Sequence, residues 1–208
     1  MPAPASADEV CTMRIELRGT RPVIWREVEV PTATTLAALH RVIQAAMGWL
    51  DYHLWEFTID GRTYGPPMEE DWGAEPRISA GKVRLRDVLK PRRTTIHYMY
   101  DFGDDWEHKL IVTKVRQGDP TIHYPRYVAG EWNAPPEDCG GVPGFYDALV
   151  ALGDPAHPDH EMWVGAFGDY DPKVIDEASI RAGLARLGPR RARAKAPGRS
   201  PKVWCLPR

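Results

Sequence analysis

Between Asp101 and His108 the chain sets four carboxylates and an imidazole within eight residues: Asp101, Asp104, Asp105, Glu107 and His108. Carboxylate oxygens hold hard divalent cations. An imidazole or carboxylate beside a metal-bound water can take its proton. The same string also reads as a structured hairpin turn. Short Asp side chains accept local backbone N–H bonds, and Gly103 tolerates positive φ. On a strand, Glu107 points away from Trp106 and His108, so these ligands do not share one side. The turn reading is therefore preferred. Asp101 followed by Glu107-His108-Lys109 also matches, loosely, the Asp…Glu-x-Lys pattern of metal-dependent nucleases. The acidity of the surrounding chain opposes a DNA-gripping surface there.

A second group is Glu137-Asp138-Cys139, followed by Gly140 and Gly141. Cys139 is a metal ligand or nucleophile by type, but a nucleophilic thiol needs a base, and His53 or His108 could serve only through the fold. The two glycines permit close backbone approach. The preferred reading is a rigid loop at a sheet edge with Cys139 as a small buried residue. A third group is His53 between Trp49 and Trp55, either core cover or the wall of a pocket for a flat ligand. His157 and His160 lie in a Pro-rich stretch and read as cap and surface residues.

The elements that must position these groups follow from pattern. Met13, Ile15 and Leu17 alternate with polar residues, and Ile24, Val28 and Val30 continue the alternation after a turn at Gly19–Pro22, giving a hairpin. Leu36, Leu39, Ile43, Ala46 and Met47 form one helical stripe, with Thr34 or Thr35 as N-cap and Gly48 as C-cap. Strands are expected at 53–59, 62–64, 94–100 and 106–115, with a tight turn at Asp60-Gly61 and a short helical turn at 83–89. Residues 65–81 and 118–142 read as loops. Short helices follow around 145–153 and 159–167. A last helix is expected with Asp171 as cap and Pro172 at its first position. The fold class is α+β: a β-grasp-like mixed sheet with one helix across a face, then a small C-terminal helical subdomain. The domain expectation is a disordered leader at 1–9, a sheet domain at 10–117, a loop and helical segment packed on it at 118–187, and a flexible basic tail at 188–208.

Composition narrows the class. Hydrophobic residues make up 43% of the 208, enough for a real core, and no apolar run approaches the roughly 20 residues that span a bilayer. The first nine residues lack the basic and apolar parts of a secretory signal. Cys11, Cys139 and Cys205 are widely spaced and odd in number, which fits a reducing compartment and no disulfide framework. The net charge of −2 hides an asymmetry: nine bases and no acids follow Glu177, while the rest carries 18 bases against 29 acids, a net −11. Such a body repels a phosphate backbone and the tail attracts one.

Several strings together resemble one known family. They are Met47-Gly48-Trp49 with His53-Leu54-Trp55-Glu56-Phe57, then Tyr100-Asp101-Phe102-Gly103-Asp104-Asp105-Trp106-Glu107-His108. Next are Pro135-Pro136-Glu137-Asp138-Cys139-Gly140-Gly141 with Gly144-Phe145, and Phe167 to Pro172 before a helix. Over roughly residues 10–187 the chain is similar to the Ri-plasmid open-reading-frame-three-like family, also labelled as insertion-element passenger "TnpR" proteins. The resemblance implies no reaction. The resolvase sense of "TnpR" requires a nucleophilic Ser near the N-terminus in a different fold, and nothing in this sequence supports that reading. Family members often carry His where this chain has Trp55, and Cys where it has Ala134. Both are metal-ligand types absent here.

The expectation is thus a cytoplasmic accessory or interaction domain of bacterial mobile-element type, without catalysis. One alternative is a metal-dependent hydrolase or nuclease using the Asp101–His108 turn. Another is nucleic-acid binding through the basic tail. No cofactor is expected, a divalent metal being the one these residues admit. The partners allowed are another protein and, weakly, nucleic acid at the tail, but not a membrane. The turn and the Cys139 loop are expected to be neighbours that brace each other.

Overall fold

The computed structural model describes residues 9–67 and 77–188. In chain order the elements are β1 (Glu9–Leu17), β2 (Ile24–Pro31), α1 (Leu36–Met47), β3 (Trp55–Ile59), β4 (Arg62–Gly65), β5 (Ile78–Ser79), α2 (Leu85–Val88), β6 (Thr94–Tyr100), β7 (Trp106–Gln117), β8 (Arg126–Glu131), α3 (Gly141–Gly153), α4 (His160–Phe167) and α5 (Glu177–Leu187). Among the described residues the eight strands form one sheet, ordered β5-β4-β3-β6-β7-β1-β2-β8. Every neighbouring pair is antiparallel except the edge pair β4–β5, which makes the sheet mixed. The α+β class, with α1 across one face and helices at the C-terminal end, is the fold.

Period-two alternation decides which face is inner. Cys11, Met13, Ile15 and Leu17 of β1 are buried, as are Ile96, Tyr98 and Tyr100 of β6 and Trp106, His108 and Leu110 of β7. Over this face α1 lays Leu36, Leu39, Val42, Ile43, Ala46 and Met47. The Thr35 hydroxyl caps the helix by accepting from the Ala38 N–H, and Gly48 ends it in the left-handed conformation at φ +81°. Phe145, Ala148, Phe167, Ile180 and Leu184 of the C-terminal helices join the same apolar cluster as the sheet. Among the described residues no helix is long and apolar enough to cross a membrane.

Arg26 crosses this core fully buried. Its guanidinium donates to the carbonyls of Ala46, Trp25, Glu131 and Trp132 at 2.7–3.3 Å, so it caps the last turn of α1 and ties β2 to the end of β8. Burial pulls its pKa down to about 10.

Four local expectations are corrected. The 118–142 segment contains strand β8, which pairs with β2; only Tyr127 of it is buried, so its alternation is too weak to read. Within 65–81, Ile78–Ser79 pairs with β4. The last helix starts at Glu177, capped by Asp176, whose carboxylate accepts from the Ser179 N–H at 3.0 Å. Asp171 is spent on a local turn instead, accepting from the Lys173 N–H at 2.7 Å. Glu9, assigned to the leader, is the first residue of β1. The rest of the leader and all of the tail beyond Gly188 lie outside the described residues, as does Cys205.

Leu39 and Ile43 are fully buried between α1 and the sheet. Leu39→Ala and Ile43→Ala are each expected to cost about 2–5 kcal/mol, read from urea unfolding midpoints. Losses near zero would show that α1 does not cover the sheet.

Candidate functional site

The inner face near the β6–β7 end is an aromatic wall. Trp49 stacks on Tyr100 with ring centroids 5.2 Å apart and donates its indole N–H to the Pro135 carbonyl at 2.8 Å. Trp55 stacks on His40 at 4.2 Å. Both tryptophans are buried core cover, and Trp49 also lines a cleft between α1, α5 and the 134–138 loop.

Three loops converge beyond this wall: 49–54, the 101–105 turn and 134–141. Tyr100 organises the first and last. Its hydroxyl donates to Glu137 Oε1 at 2.5 Å and accepts from the Tyr52 N–H at 3.0 Å and, more weakly, the His53 N–H at 3.4 Å. The other Glu137 oxygen accepts from the Leu50 N–H at 2.7 Å. Asp101 N–H donates to the Leu54 carbonyl at 2.8 Å, closing the turn onto the first loop. The Asp101 carboxylate accepts from the Gly103 N–H at 2.9 Å. Asp101, Asp105 and Asp138 all adopt positive φ, a conformation short polar side chains tolerate.

The turn and the Cys139 loop are in direct contact. Gly140 N–H donates to Asp104 Oδ2 at 3.2 Å. A Cβ at Gly141, which sits at φ +65°, would fall 2.2 Å from the Asp104 carbonyl oxygen, so only glycine permits this approach. Cys139 is buried; burial, with the charges of Asp104 and Asp138 adding, pushes its thiol up to about 12. It is a neutral thiol at physiological pH, not an activated nucleophile.

The residues of the acidic turn separate. Asp101 points inward and is buried. Glu107 faces solvent, 3.3 Å from Arg18. His108 is fully buried on the opposite face of β7, edge-on to Trp49, with Nδ1–H donating to the Trp106 carbonyl at 2.9 Å. His108 and Glu107 therefore do not meet Asp101 in one site. What does meet it is His53 and Asp138: His53 Nε2 lies 2.8 Å from Asp138 Oδ1 and 3.5 Å from Asp101 Oδ2. Of the sequence candidates, His53, Asp101 and Asp138 form one cluster, Glu137, Asp104 and Cys139 buttress it, and Asp105, Glu107 and His108 stand apart.

A second polar group was not anticipated. His40 is buried on α1; its Nε2 lies 2.6 Å from Asp51 Oδ1 and its Nδ1 2.7 Å from the Tyr98 hydroxyl. Gln44, one turn on, donates to the same hydroxyl at 3.1 Å and accepts from the Asp51 N–H. Burial pulls the His40 pKa down, against the pull of Asp51. The signal was present as two polar residues, spaced i and i+4, beside the apolar stripe.

Burial holds His108 neutral down to a pKa of about 4, against 6.5 unperturbed. Below pH ~6.5 the unfolded chain takes up a proton that the folded ring refuses. Its stability contribution is thus flat above that pH, falls as pH drops, and levels off near 4, a loss on the order of 3 kcal/mol. His108→Leu is expected to reduce the pH dependence of unfolding free energy between pH 4 and 6.5, leaving the contribution of His40, whose pKa burial also pulls down. An undiminished slope in the variant would contradict this assignment.

Residues 9–179 match the family described as plasmid pRiA4b ORF-3-like protein. The uncharacterized protein y4hQ of Sinorhizobium fredii is 34% identical over 190 residues, covering 88% of this chain and 95% of that one. A solved structure, that of the protein of unknown function MM3350 from Methanosarcina mazei Go1, is similar at a TM-score of 0.75 and 34% identity, covering 83% of this chain and 98% of that one. The aromatic wall, the Asp101 turn and the Cys139 loop all lie inside the matched stretch, and the chain belongs to the plasmid pRiA4b ORF-3-like family.

Proposed function

We propose that this protein is a cytoplasmic accessory domain of mobile-element type that binds a partner protein through the face built by its three braced loops, without catalysis. One observation carries the reading. Leu50, Tyr52 and Leu54, within five residues, are 63%, 72% and 49% exposed, and Phe102 of the adjoining turn is 41% exposed. Large apolar side chains gathered on one rigid surface mark interaction sites, whereas single scattered ones do not. Leu50 and Tyr52 also line a cleft of about 890 Å³ that runs between α1, α5 and the 134–138 loop. The net −11 of the chain outside its C-terminal bases favours a partner segment that is apolar and basic.

The plasmid name of the family supports the mobile-element setting. The free, buried Cys11 and Cys139 suit a reducing compartment. The hydrolytic alternative at the Asp101–His108 turn gains no support from a geometry that sends Glu107 and His108 to opposite sides of β7. The nucleic-acid alternative rests on tail residues outside the described ones.

A displayed random-peptide selection against the whole chain tests the proposal. Enriched peptides are expected to combine aromatic or aliphatic residues with Lys or Arg. Their affinity should fall about tenfold or more in the double variant Tyr52→Ser, Leu54→Ser, both sites being exposed enough to leave the melting temperature in place. No enrichment, or binding indifferent to the double variant, would overturn it.

A further inference from the structure

We propose that His53, Asp101 and Asp138 form a binding site for a divalent first-row transition metal ion, with zinc as the best match. The three side chains come from three separate segments, yet their ligand atoms all lie within 4.8 Å of one another. Bonds of ~2.1 Å to nitrogen and oxygen place neighbouring ligands about 3.0–3.4 Å apart around one ion. The two measured separations from His53 Nε2, 2.8 and 3.5 Å, bracket that span.

The geometry of His53 is the independent observation. Its Nε2 is shielded from solvent and makes no hydrogen bond, although Asp138 Oδ1 is only 2.8 Å away. The carboxylate oxygen is close but off the ring N–H direction, so no hydrogen bond forms between them. A sheltered imidazole nitrogen without a partner, set between two carboxylates, is costly to keep without a ligand. Asp101 adds to this. It is 8% exposed, and one of its oxygens is occupied by the Gly103 N–H while Oδ2 is turned toward His53.

The supports needed to hold such ligands are present. The His53 backbone N–H reaches the Tyr100 hydroxyl and its ring packs edge-on against Tyr100 at 5.7 Å. Asp138 lies between Glu137, bonded to Tyr100, and Gly140, bonded to Asp104. Hydrogen bonds and packing behind the ligands in this way fix their orientation. One imidazole and two carboxylates, with no thiolate, suit zinc or manganese better than magnesium or calcium, which take oxygen alone, or copper(I), which takes sulfur. Three protein ligands leave the remaining positions to solvent. The site is independent of the peptide-binding reading, since either can fail while the other stands.

The test is titration of the untagged whole chain, freed of metal by chelator, with zinc by calorimetry and with cobalt(II) by visible absorption. One ion per chain is expected, with cobalt showing ligand-field bands of a nitrogen–oxygen site and no sulfur charge-transfer band. His53→Gln and Asp138→Asn should each weaken binding at least about tenfold. The Asp138 side chain is 65% exposed, so its variant remains folded, as a melting curve will verify. The absence of stoichiometric binding below about 1 mM, or full affinity retained in either variant, would overturn the proposal.

Discussion

The Tyr100 hydroxyl is the point at which the sheet takes hold of its loops. It sits at the end of β6, donates to Glu137 and accepts from the backbone of 52–53. Burial, and next the adjacent Glu137 charge, raise the phenol's pKa, so it remains a protonated donor throughout the physiological range. A hydrogen bond to a charged group contributes roughly 1.5–3 kcal/mol. That is enough to hold residues 50–54, none of which is buried. Glu137 passes the constraint on through Leu50, and Asp101 passes it through Leu54. The exposed apolar residues and the His53 cluster are therefore carried on a fixed frame, although both lie on loops.

The core beneath is unusually polar, and each polar group is set against a specific cost. Among the described residues Arg26 has no carboxylate partner within ion-pair distance; the four carbonyls it serves stabilise its charge, one of them an orphan acceptor at the end of α1. His40 and Gln44 converge on the Tyr98 hydroxyl and on Asp51, which fixes the helix relative to β6 and to the chain that leaves it. Directional bonds of this kind specify a register more sharply than apolar packing does.

Much of the frame was legible in the sequence because it depends on local pattern. The β1–β2 hairpin, α1 with its Gly48 cap and an N-cap at one of Thr34 and Thr35, and the β6–β7 pair follow from alternation, helical spacing and turn residues. The contact between the Asp101 turn and the Cys139 loop was also anticipated, from their polarity and glycines. The misses have physical causes. β8 borrows its identity from pairing with β2, a tertiary fact. Asp171 and Asp176 are equally good caps by type, and the local turn at Lys173 decides between them. For the acidic cluster, proximity in sequence was a poor guide. His108 lies seven residues from Asp101 yet is buried in the inner-face core against Trp49 and Tyr98, whereas His53 and Asp138, far away in the chain, are brought to it by the fold.

Hydrogen–deuterium exchange on Tyr100→Phe tests the central claim most directly, because the change deletes one oxygen and keeps the ring packed against Trp49. If the hydroxyl is what fixes the loops, amides in 50–54 and 137–141 will exchange markedly faster than in the parent, while those of β1 and α1 keep their protection. Unchanged exchange in both loops would show that they are held by something else and would contradict the account.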